Sequence, residues 1–596
     1  MKNRINKKIA SFGASALILS GVGLGILACS LSDDDTSSSS SYNVVSATKS
    51  DTAVYKSDLP IFEIAPTTKS ITISGVPSNK SIYLAKVNTG NVSVPLSALR
   101  SASTSRAAIF DAEIDVDSSE IPQSEFKHFE GEKITLDGIR SAGRSALPEP
   151  PAPAKSQTTY SVGNTKDIYV DSNVNMTQYS LKTAKLYASG DNCYVWCVES
   201  DFTKQGKDST EMEKIAKEFK EKFEAFYPLI TNVFGNESDK LINSNASTSK
   251  LSEAASIDME TYGDTGKKIN IVIYDIGADY EASSQCGVLG YFYAKDYFTR
   301  VSNSNSVIRY SNEGKYFYID AIYAVKSINT TISTLAHEFQ HMINYGMKDM
   351  KDYGSPDTSY NEMLSMLCED MMAEKLGLDN SNNVKHERLP YFNSSYFLSG
   401  IREYRNDSYA ALSYSTSYGF GSWLCRQYGG AKLVKAIMEN NKIDNDSLVA
   451  AVNSVNSGNN YTFSDLFKQF LIACTNKSSS GTATTDSEVF THNQDATQTI
   501  TKDSYSYPMT AIDLWGNDYK RSSTDYLVRN QSSAGYNSDS DKTGPFIFAS
   551  NMGCALRPNY GMTLHKLRET TASDSSLTLT FGDSGANTVT MYVIIQ

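Results

Sequence analysis

The 596-residue chain is poor in histidine, cysteine and tryptophan and has no excess of basic charge. It holds six His, eight Cys and three Trp, and 67 acidic residues outnumber 55 basic ones, for a net charge of −12. This balance argues against a nucleic-acid partner and against electrostatic attachment to an anionic membrane. So few cysteines exclude a dense disulfide framework. With 40% hydrophobic residues and 37 Tyr, the composition instead indicates globular domains rich in strands and loops.

The length of the chain and its changes of pattern predict several domains. A proline-rich stretch near residue 150 is typical of a linker, helical periodicity begins near residue 209, and it ends before residue 490. We therefore predict a signal peptide (1–28), a flexible Ser/Thr/Asp-rich tether (29–60), a small β-rich unit with its linker (61–155), a β-rich subdomain (156–204), an α+β domain (205–480) and a C-terminal β-sandwich-like domain (490–596).

The N-terminus has the layout of a secretory signal peptide. Four of the first eight residues are basic, and the stretch 9–28 is uncharged. A membrane-spanning helix is the alternative, although three glycines weaken it. The junction Ile26-Leu-Ala-Cys29 resembles a bacterial lipoprotein processing site. We therefore expect an exported protein of the cell envelope, anchored to a membrane through lipidated Cys29 and facing the periplasm or the exterior.

Two of the six histidines lie in one short motif, His337-Glu338-Phe-Gln-His341. Apolar residues at three- and four-residue steps around it predict a helix, which places both histidines on one face, one turn apart. Two imidazoles so placed can bind one metal ion, with Glu338 between them as a general base. The alternative is a pair of histidines that merely pack in a helix.

A catalytic zinc site needs a third protein ligand and an open position for water. Glu362 is the candidate, because the segment 360–374 is helical and apolar on most sides, where a carboxylate without a cation would be costly. Glu369 lies two turns further along the same face and can accept a hydrogen bond from a ligand histidine. The alternative for either glutamate is a solvated surface charge.

These motifs resemble the gluzincin zinc peptidases, in which Asn-Glu-x-x-Ser follows the histidine motif after about twenty residues, as Asn361-Glu-Met-Leu-Ser365 does here. More narrowly, they resemble the hyicolysin-type metallopeptidases, as do Gly287-Val-Leu-Gly-Tyr-Phe-Tyr and Leu556-Arg-Pro-Asn-Tyr-Gly561. The resemblance covers about residues 160–596. It implies a gluzincin-like fold for 205–480 and one catalytic zinc ion held by His337, His341 and Glu362, with Glu338 as the catalytic glutamate.

One departure from the family pattern concerns the residue that supports a ligand histidine. Thermolysin-like gluzincins place an aspartate four residues after the ligand glutamate, whereas this chain has Met366. The supporting role must therefore move, and we assign it to Glu369 or Asp370.

The reaction also needs a donor for the developing oxyanion. Tyr418, in Tyr418-Gly-Phe-Gly421, resembles the donor tyrosine of aminopeptidase-type gluzincins, and Tyr414 is the reserve. His386 is a further alternative, since thermolysin-like enzymes use a histidine, but its Lys-His-Glu-Arg surroundings suggest a solvated loop.

The combined interpretation is a secreted, lipid-anchored zinc endopeptidase that acts as a monomer on polypeptide substrates, using zinc-activated water. The strand 315–321, just ahead of the metal helix, is the expected edge along which an extended substrate pairs. The main alternative is a surface adhesin or binding lipoprotein whose metal site is structural or degenerate. Zinc-dependent hydrolysis of a non-peptide amide is a third possibility.

Overall fold

The computed structural model describes helices together with several β-sheets, which confirms the predicted combination of α and β structure. Cys29 and the predicted signal peptide lie outside the described residues. Among the residues described, no helix has both the length and the apolarity needed to cross a membrane. The described ranges are 52–95, 112–113, 133–150, 159–476, 505–520 and 543–596, with gaps at 58–59, 65–67, 69, 174, 263–265, 281–286, 379–382, 406–408, 551, 573–574 and 582–585.

The strands of a six-stranded sheet precede, along the chain, the helix that carries the histidine motif. Its interior strand Ile269–Tyr274 is buried along its whole length and pairs in parallel with the strand on either side. A continuous apolar run of this kind is typical of a strand covered on both faces. The remaining pairings in the sheet are antiparallel. In order, the strands are β12 (Gly290–Phe292), β13 (Lys315–Asp320), β11 (Ile269–Tyr274), β8 (Cys193–Cys197), β7 (Tyr179–Ser189) and β6 (Thr165–Asp171).

A second group of strands joins the two ends of the chain. Its five-stranded sheet has the order β14 (Phe548–Ala549), β16 (Gly561–Glu569), β4 (Ser81–Asn88), β18 (Val589–Ile595) and β2 (Ile61–Ile64). A three-stranded sheet has the order β1 (Thr52–Val54), β3 (Ser70–Ser74) and β17 (Ser576–Thr580). Two small pairs are β9 (Lys240–Ile242) with β10 (Ala255–Asp258), and β5 (Ala112–Glu113) with β15 (Met552–Gly553).

The predicted domain boundaries do not separate these sheets. Strands from 61–155 and from 490–596 share one sheet, and apolar side chains from both parts share one core. The strands of 156–204 likewise belong to the same sheet as β11 and β13 of 205–480. Alternating apolar residues indicate that a segment is a strand. They do not indicate which strand it pairs with, since that strand can lie far away in the sequence.

The helices lie largely in the middle of the chain. They are α1 (Leu136–Ala142), α2 (Glu199–Thr203), α3 (Ser209–Phe234), α4 (Leu251–Ala254), α5 (Met259–Tyr262), α6 (Ala321–Lys326), α7 (Ile328–Met347), α8 (Thr358–Leu376), α9 (Val384–Ser395), α10 (Ala410–Tyr428), α11 (Ala431–Glu439), α12 (Asp444–Val455) and α13 (Phe463–Thr475).

The amphipathic helix α3 supports the metal helix α7 from its apolar side. Asp208 caps α3, since its carboxylate accepts hydrogen bonds from the backbone N–H groups of Thr210 and Glu211. The ring of Phe223 then packs against that of Phe339 on α7, with centroids 5.2 Å apart. Because the apolar face of α7 is held by α3, the face that carries the histidines turns toward α8.

One edge of the six-stranded sheet is formed by a different strand from the one that the sequence indicated. β13, which we expected to bind substrate, is the second strand and pairs on both sides, and β12 occupies the edge. β12 has only three residues, so no apolar alternation can reveal it in the sequence.

Candidate metal centre

His337, His341 and Glu362 come together at the contact between α7 and α8. The two imidazole rings lie one helical turn apart, with centroids separated by 4.8 Å. Glu362 reaches them from the first half of α8, and one ligand atom of each residue lies within 4.8 Å of the others. Among the described residues, this group is the one whose spacing can hold a metal ion.

The distances within the group fit a zinc ion. Nε2 of His337 lies 3.0 Å from Oε2 of Glu362, and Nε2 of His341 lies 3.4 Å from Oε1. Ligand atoms bound to one tetrahedral zinc ion at about 2.0–2.1 Å are separated by about 3.3 Å. Two imidazole nitrogens and a carboxylate are also a donor set that zinc prefers.

Glu369 orients the imidazole of His337. Its Oε1 lies 2.8 Å from Nδ1 of His337, and its Oε2 accepts a hydrogen bond of 2.7 Å from Oγ of Ser333. A carboxylate at Nδ1 favours the tautomer that is protonated there, which leaves the lone pair of Nε2 facing Glu362. The structure thus places Glu369 where the sequence analysis expected a supporting carboxylate.

Ser365 has the corresponding position beside His341, a role that the sequence analysis missed. Its hydroxyl donates to Oε1 of Gln340 at 2.6 Å and lies 3.1 Å from Nδ1 and 3.3 Å from Nε2 of His341. With its own proton given to Gln340, the hydroxyl can accept a hydrogen bond from the imidazole of His341. The available signal was the serine of the Asn361-Glu-Met-Leu-Ser365 motif.

The electrostatics of the centre favour a cation. Burial lowers the pKa of His337, but hydrogen bonds and charge from Glu362 and Glu369 outweigh burial and hold this pKa well above its ordinary value. Both carboxylates therefore stabilise positive charge at the imidazole. Glu362 is buried, whereas 13% of the side chain of His337 stays exposed.

Glu338, the expected general base, is buried on α7 with 3% of its surface exposed. It precedes His341 by three positions, a spacing that makes two residues neighbours on a helix surface.

Asp370 lies in a buried cluster with Tyr418 and Arg426 and contacts both of them. Asp370 accepts a hydrogen bond of 2.9 Å from the hydroxyl of Tyr418 and lies 2.7 Å from the guanidinium of Arg426. Burial alone would raise the pKa of Asp370, but Arg426 outweighs it and lowers the pKa. Successive residues on a helix point about 100° apart, so Asp370 faces α10 while Glu369 faces His337.

Tyr414 lies one turn before Tyr418 on α10 and is buried. Burial is the main cause that raises its pKa, and the charge of Glu362 raises it further. The guanidinium of Arg388 lies over the ring of Tyr414, 5.0 Å from its centroid.

The segment around His386 is a helix, α9, and not the solvated loop that its charged neighbours suggested. The ring of His386 lies beside that of Tyr519, with centroids 5.3 Å apart. The neighbouring Glu387 is half-buried, and desolvation raises its pKa although the charge of Arg388 acts in the opposite direction. The charged residues around His386 gave no indication in the sequence that α9 packs beside the metal centre.

Two histidines and one glutamate, borne by two adjacent helices, are the ligand set of zinc hydrolases such as thermolysin. Residues 238–511 match the model of the Peptidase M30 family. The chain is also 27% identical over 332 residues to the neutral metalloprotease ShpI of Staphylococcus hyicus, an alignment that covers 53% of this chain and 64% of that protein. These matches support a hyicolysin-type metallopeptidase, which confirms the resemblance drawn from the sequence motifs.

Replacing Asp370 with asparagine tests the assignment of the buried cluster. We expect Asp370→Asn to lower the free energy of unfolding by about 3–5 kcal/mol, because Arg426 would stay buried without its counter-charge. Zinc bound per folded chain should not change. Urea denaturation and metal analysis of the folded fraction measure the two effects. Glu213→Gln, which removes an exposed ion pair with Lys217, is the control and should cost about 1 kcal/mol or less. If the variant instead loses zinc without losing stability, Asp370 acts at the metal centre and its assignment to the ion-pair cluster is wrong.

Proposed function

We propose that this chain is a zinc-dependent endopeptidase that hydrolyses peptide bonds in polypeptides. The observation that carries the proposal is the convergence of both Nε2 atoms on the carboxylate of Glu362, while Glu369 occupies the Nδ1 side of His337. This arrangement presents three metal ligands from the protein. A catalytic zinc site has three protein ligands and an open position, whereas a structural site is closed by a fourth.

In this proposal His337, His341 and Glu362 hold the zinc ion. When bound, zinc polarises the scissile carbonyl and makes a water molecule more acidic at neutral pH. Glu369 keeps the imidazole of His337 in the orientation and tautomer that ligation requires. Ser365 holds the ring of His341 in place through its contacts with the ring nitrogens.

Glu338 acts as the general base and then as the general acid. Its carboxylate takes a proton from the attacking water and passes that proton to the nitrogen of the leaving amine. Its position three residues before His341 on α7 supports this role, because residues at this spacing are neighbours on a helix surface. The sequence of steps requires no covalent intermediate with the protein.

Tyr414 is the donor that we assign to the developing oxyanion. The electrostatic effect of Glu362 on Tyr414 supports this role, and the bond from Tyr418 to Asp370 argues against the tyrosine first chosen from the sequence. A hydroxyl donor aimed at the position where negative charge develops stabilises the transition state more than the ground state.

A polypeptide substrate fits the edge of the six-stranded sheet. β12 is the edge strand, and the residues that follow it, Tyr293 and Ala294, line a cleft of about 470 Å³ that His341 also lines. An extended peptide can add to such an edge through main-chain hydrogen bonds. Export and anchoring through Cys29 remain predictions from the sequence.

The glutamine variant of Glu338 tests the proposed reaction. We expect Glu338→Gln to keep one zinc ion per chain and to lower the rate of casein cleavage by about 10²–10⁴-fold, because the amide cannot accept the proton of water. Metal analysis and a cleavage assay on the same preparation check this. Glu374→Gln, an exposed change on α8, is the matched control and should cleave at the wild-type rate. Normal cleavage by Glu338→Gln would contradict the assignment of the base.

The glutamine variant of Glu369 tests its positioning role. Without the carboxylate at Nδ1, we expect zinc affinity to fall by about 10–100-fold while the helical circular dichroism stays unchanged. A competition titration with a chelator measures the affinity, and excess zinc should restore cleavage. Unchanged affinity would mean that Glu369 only packs beside His337.

Tyr414 and Tyr418 form a matched pair for the oxyanion donor. We expect Tyr414→Phe to lower kcat by about 10²–10³-fold with little change in KM, because the hydroxyl acts on the transition state. Tyr418→Phe should lower stability instead, since it removes a hydrogen bond from the buried Asp370. Steady-state kinetics on a peptide substrate separate the two, and the reverse result would restore Tyr418 to the site.

A further inference from the structure

The cleft beside His341 combines aromatic walls with a carboxylate. It lies where β12, the second half of α7 and the segment just ahead of α1 meet, and its volume is about 470 Å³. Phe292 and Tyr345 line it on the aromatic side, Ile134 adds an apolar wall, and Asp349 also lines it. The cleft therefore offers a negative charge within surroundings that are mostly uncharged.

Tyr345 lines this cleft and lies on the same helix as His341. It follows His341 by one helical turn, and its ring packs near those of Phe292 and Tyr297, at 5.9 and 5.7 Å between centroids. Its buried hydroxyl has no hydrogen-bond partner within the described part of the chain. Burial raises the pKa of Tyr345, and the charge of Asp349 raises it further. A buried hydroxyl and a carboxylate thus lie close together in the cleft.

Asp349 carries the negative charge that an occupant of the cleft would meet. Its Oδ1 accepts a hydrogen bond of 2.6 Å from Oγ of Ser355. Burial raises the pKa of Asp349 to about 6, although Ser355 and the charge of Lys133 act in the opposite direction. At neutral pH the carboxylate is therefore mostly ionised, and burial makes it costly without a cation nearby.

Two other charged residues line the cleft, and neither replaces Asp349. The carboxylate of Asp352 accepts hydrogen bonds from the backbone N–H groups of Leu251 and Ser252, so it is engaged at the start of α4. Lys133 is an exposed side chain, and its ammonium reduces the negative charge that Asp349 presents.

We propose that this cleft is the subsite that receives a lysine or arginine side chain of the polypeptide substrate, with Asp349 as its counter-ion. The proposal rests on the proposed peptidase function and names the substrate class of that site. The aliphatic stem of a basic residue can pack along Ile134 and Phe292, while its charged end reaches the carboxylate. A cation close to aromatic rings gains further attraction from their π-systems.

An apolar side chain suits the cleft less well. It would cover the carboxylate of Asp349 without supplying a counter-charge, and the hydrogen bond from Ser355 does not neutralise that charge. An acidic side chain would meet a like charge at Asp349.

Cleavage-site mapping followed by matched peptides tests the subsite. Sites that the wild-type protein cuts in a denatured protein mixture are identified by mass spectrometry, and we expect lysine and arginine to be enriched at one position relative to the cut. A peptide with the best site is then compared with the same peptide carrying norleucine at that position. The ratio of their kcat/KM values should favour lysine, and Asp349→Asn should reduce this ratio by about tenfold.

Three further variants distinguish a specific loss of the preference for lysine from a loss of activity caused by misfolding. Lys133→Met should increase the preference for lysine, because it removes the competing positive charge. Asp349→Lys should shift the preference toward the glutamate version of the peptide. Glu221→Gln, an exposed change on α3, should leave the ratio unchanged. A wild-type protein with no basic enrichment, or an Asp349→Asn variant that slows both peptides equally, would overturn the subsite.

Failure of the peptidase itself would have a different signature. If zinc-loaded protein cleaves none of the peptides, the proposed function fails, and the subsite is then judged by binding alone. Fluorescence anisotropy of the labelled lysine and norleucine peptides should still show tighter binding of lysine, weakened by Asp349→Asn. Equal binding of the two peptides would overturn the subsite as well.

Discussion

The contact of one carboxylate with two imidazoles organises the functional part of this chain. Glu362 can approach His337 and His341 only because α7 and α8 pack side by side. The aromatic contact of Phe223 with Phe339 holds α7 in position. A buried carboxylate between two nitrogen donors is expensive unless positive charge joins it. The energetic cost of folding this region is therefore linked to the binding of a metal ion.

Around this contact, polar residues are divided between two tasks. Residues on one face of α8, such as Glu369 and Ser365, contact the imidazoles, whereas Asp370 pairs with Arg426 and fastens α8 to α10. A single helix thereby contacts both histidines and carries the ion pair that holds its neighbour. The separation follows from helical periodicity, because neighbouring residues in sequence face different helices.

The grouping of His337, His341 and Glu362 could be predicted from the sequence because their spacing is local. His337 and His341 need only one helix, and Glu362 needs the next helix in the chain. Tyr418 could not be separated from Tyr414 in this way, since a difference of one turn on α10 depends on which buried partner each hydroxyl meets. The pairing of β4 with β16 and β18 was equally beyond local patterns, because it joins segments more than four hundred residues apart.

That pairing has a consequence for the order in which the chain can assemble. β4 lies between two strands that follow it by more than four hundred residues, so it has neither neighbour in this sheet until those residues have been made. Closing so long a loop is entropically slow, whereas the helices of the middle region meet neighbours close in sequence. A chain still on the ribosome would therefore carry an orphan strand, Ser81–Asn88, whose apolar side chains stay uncovered until β16 and β18 have been made.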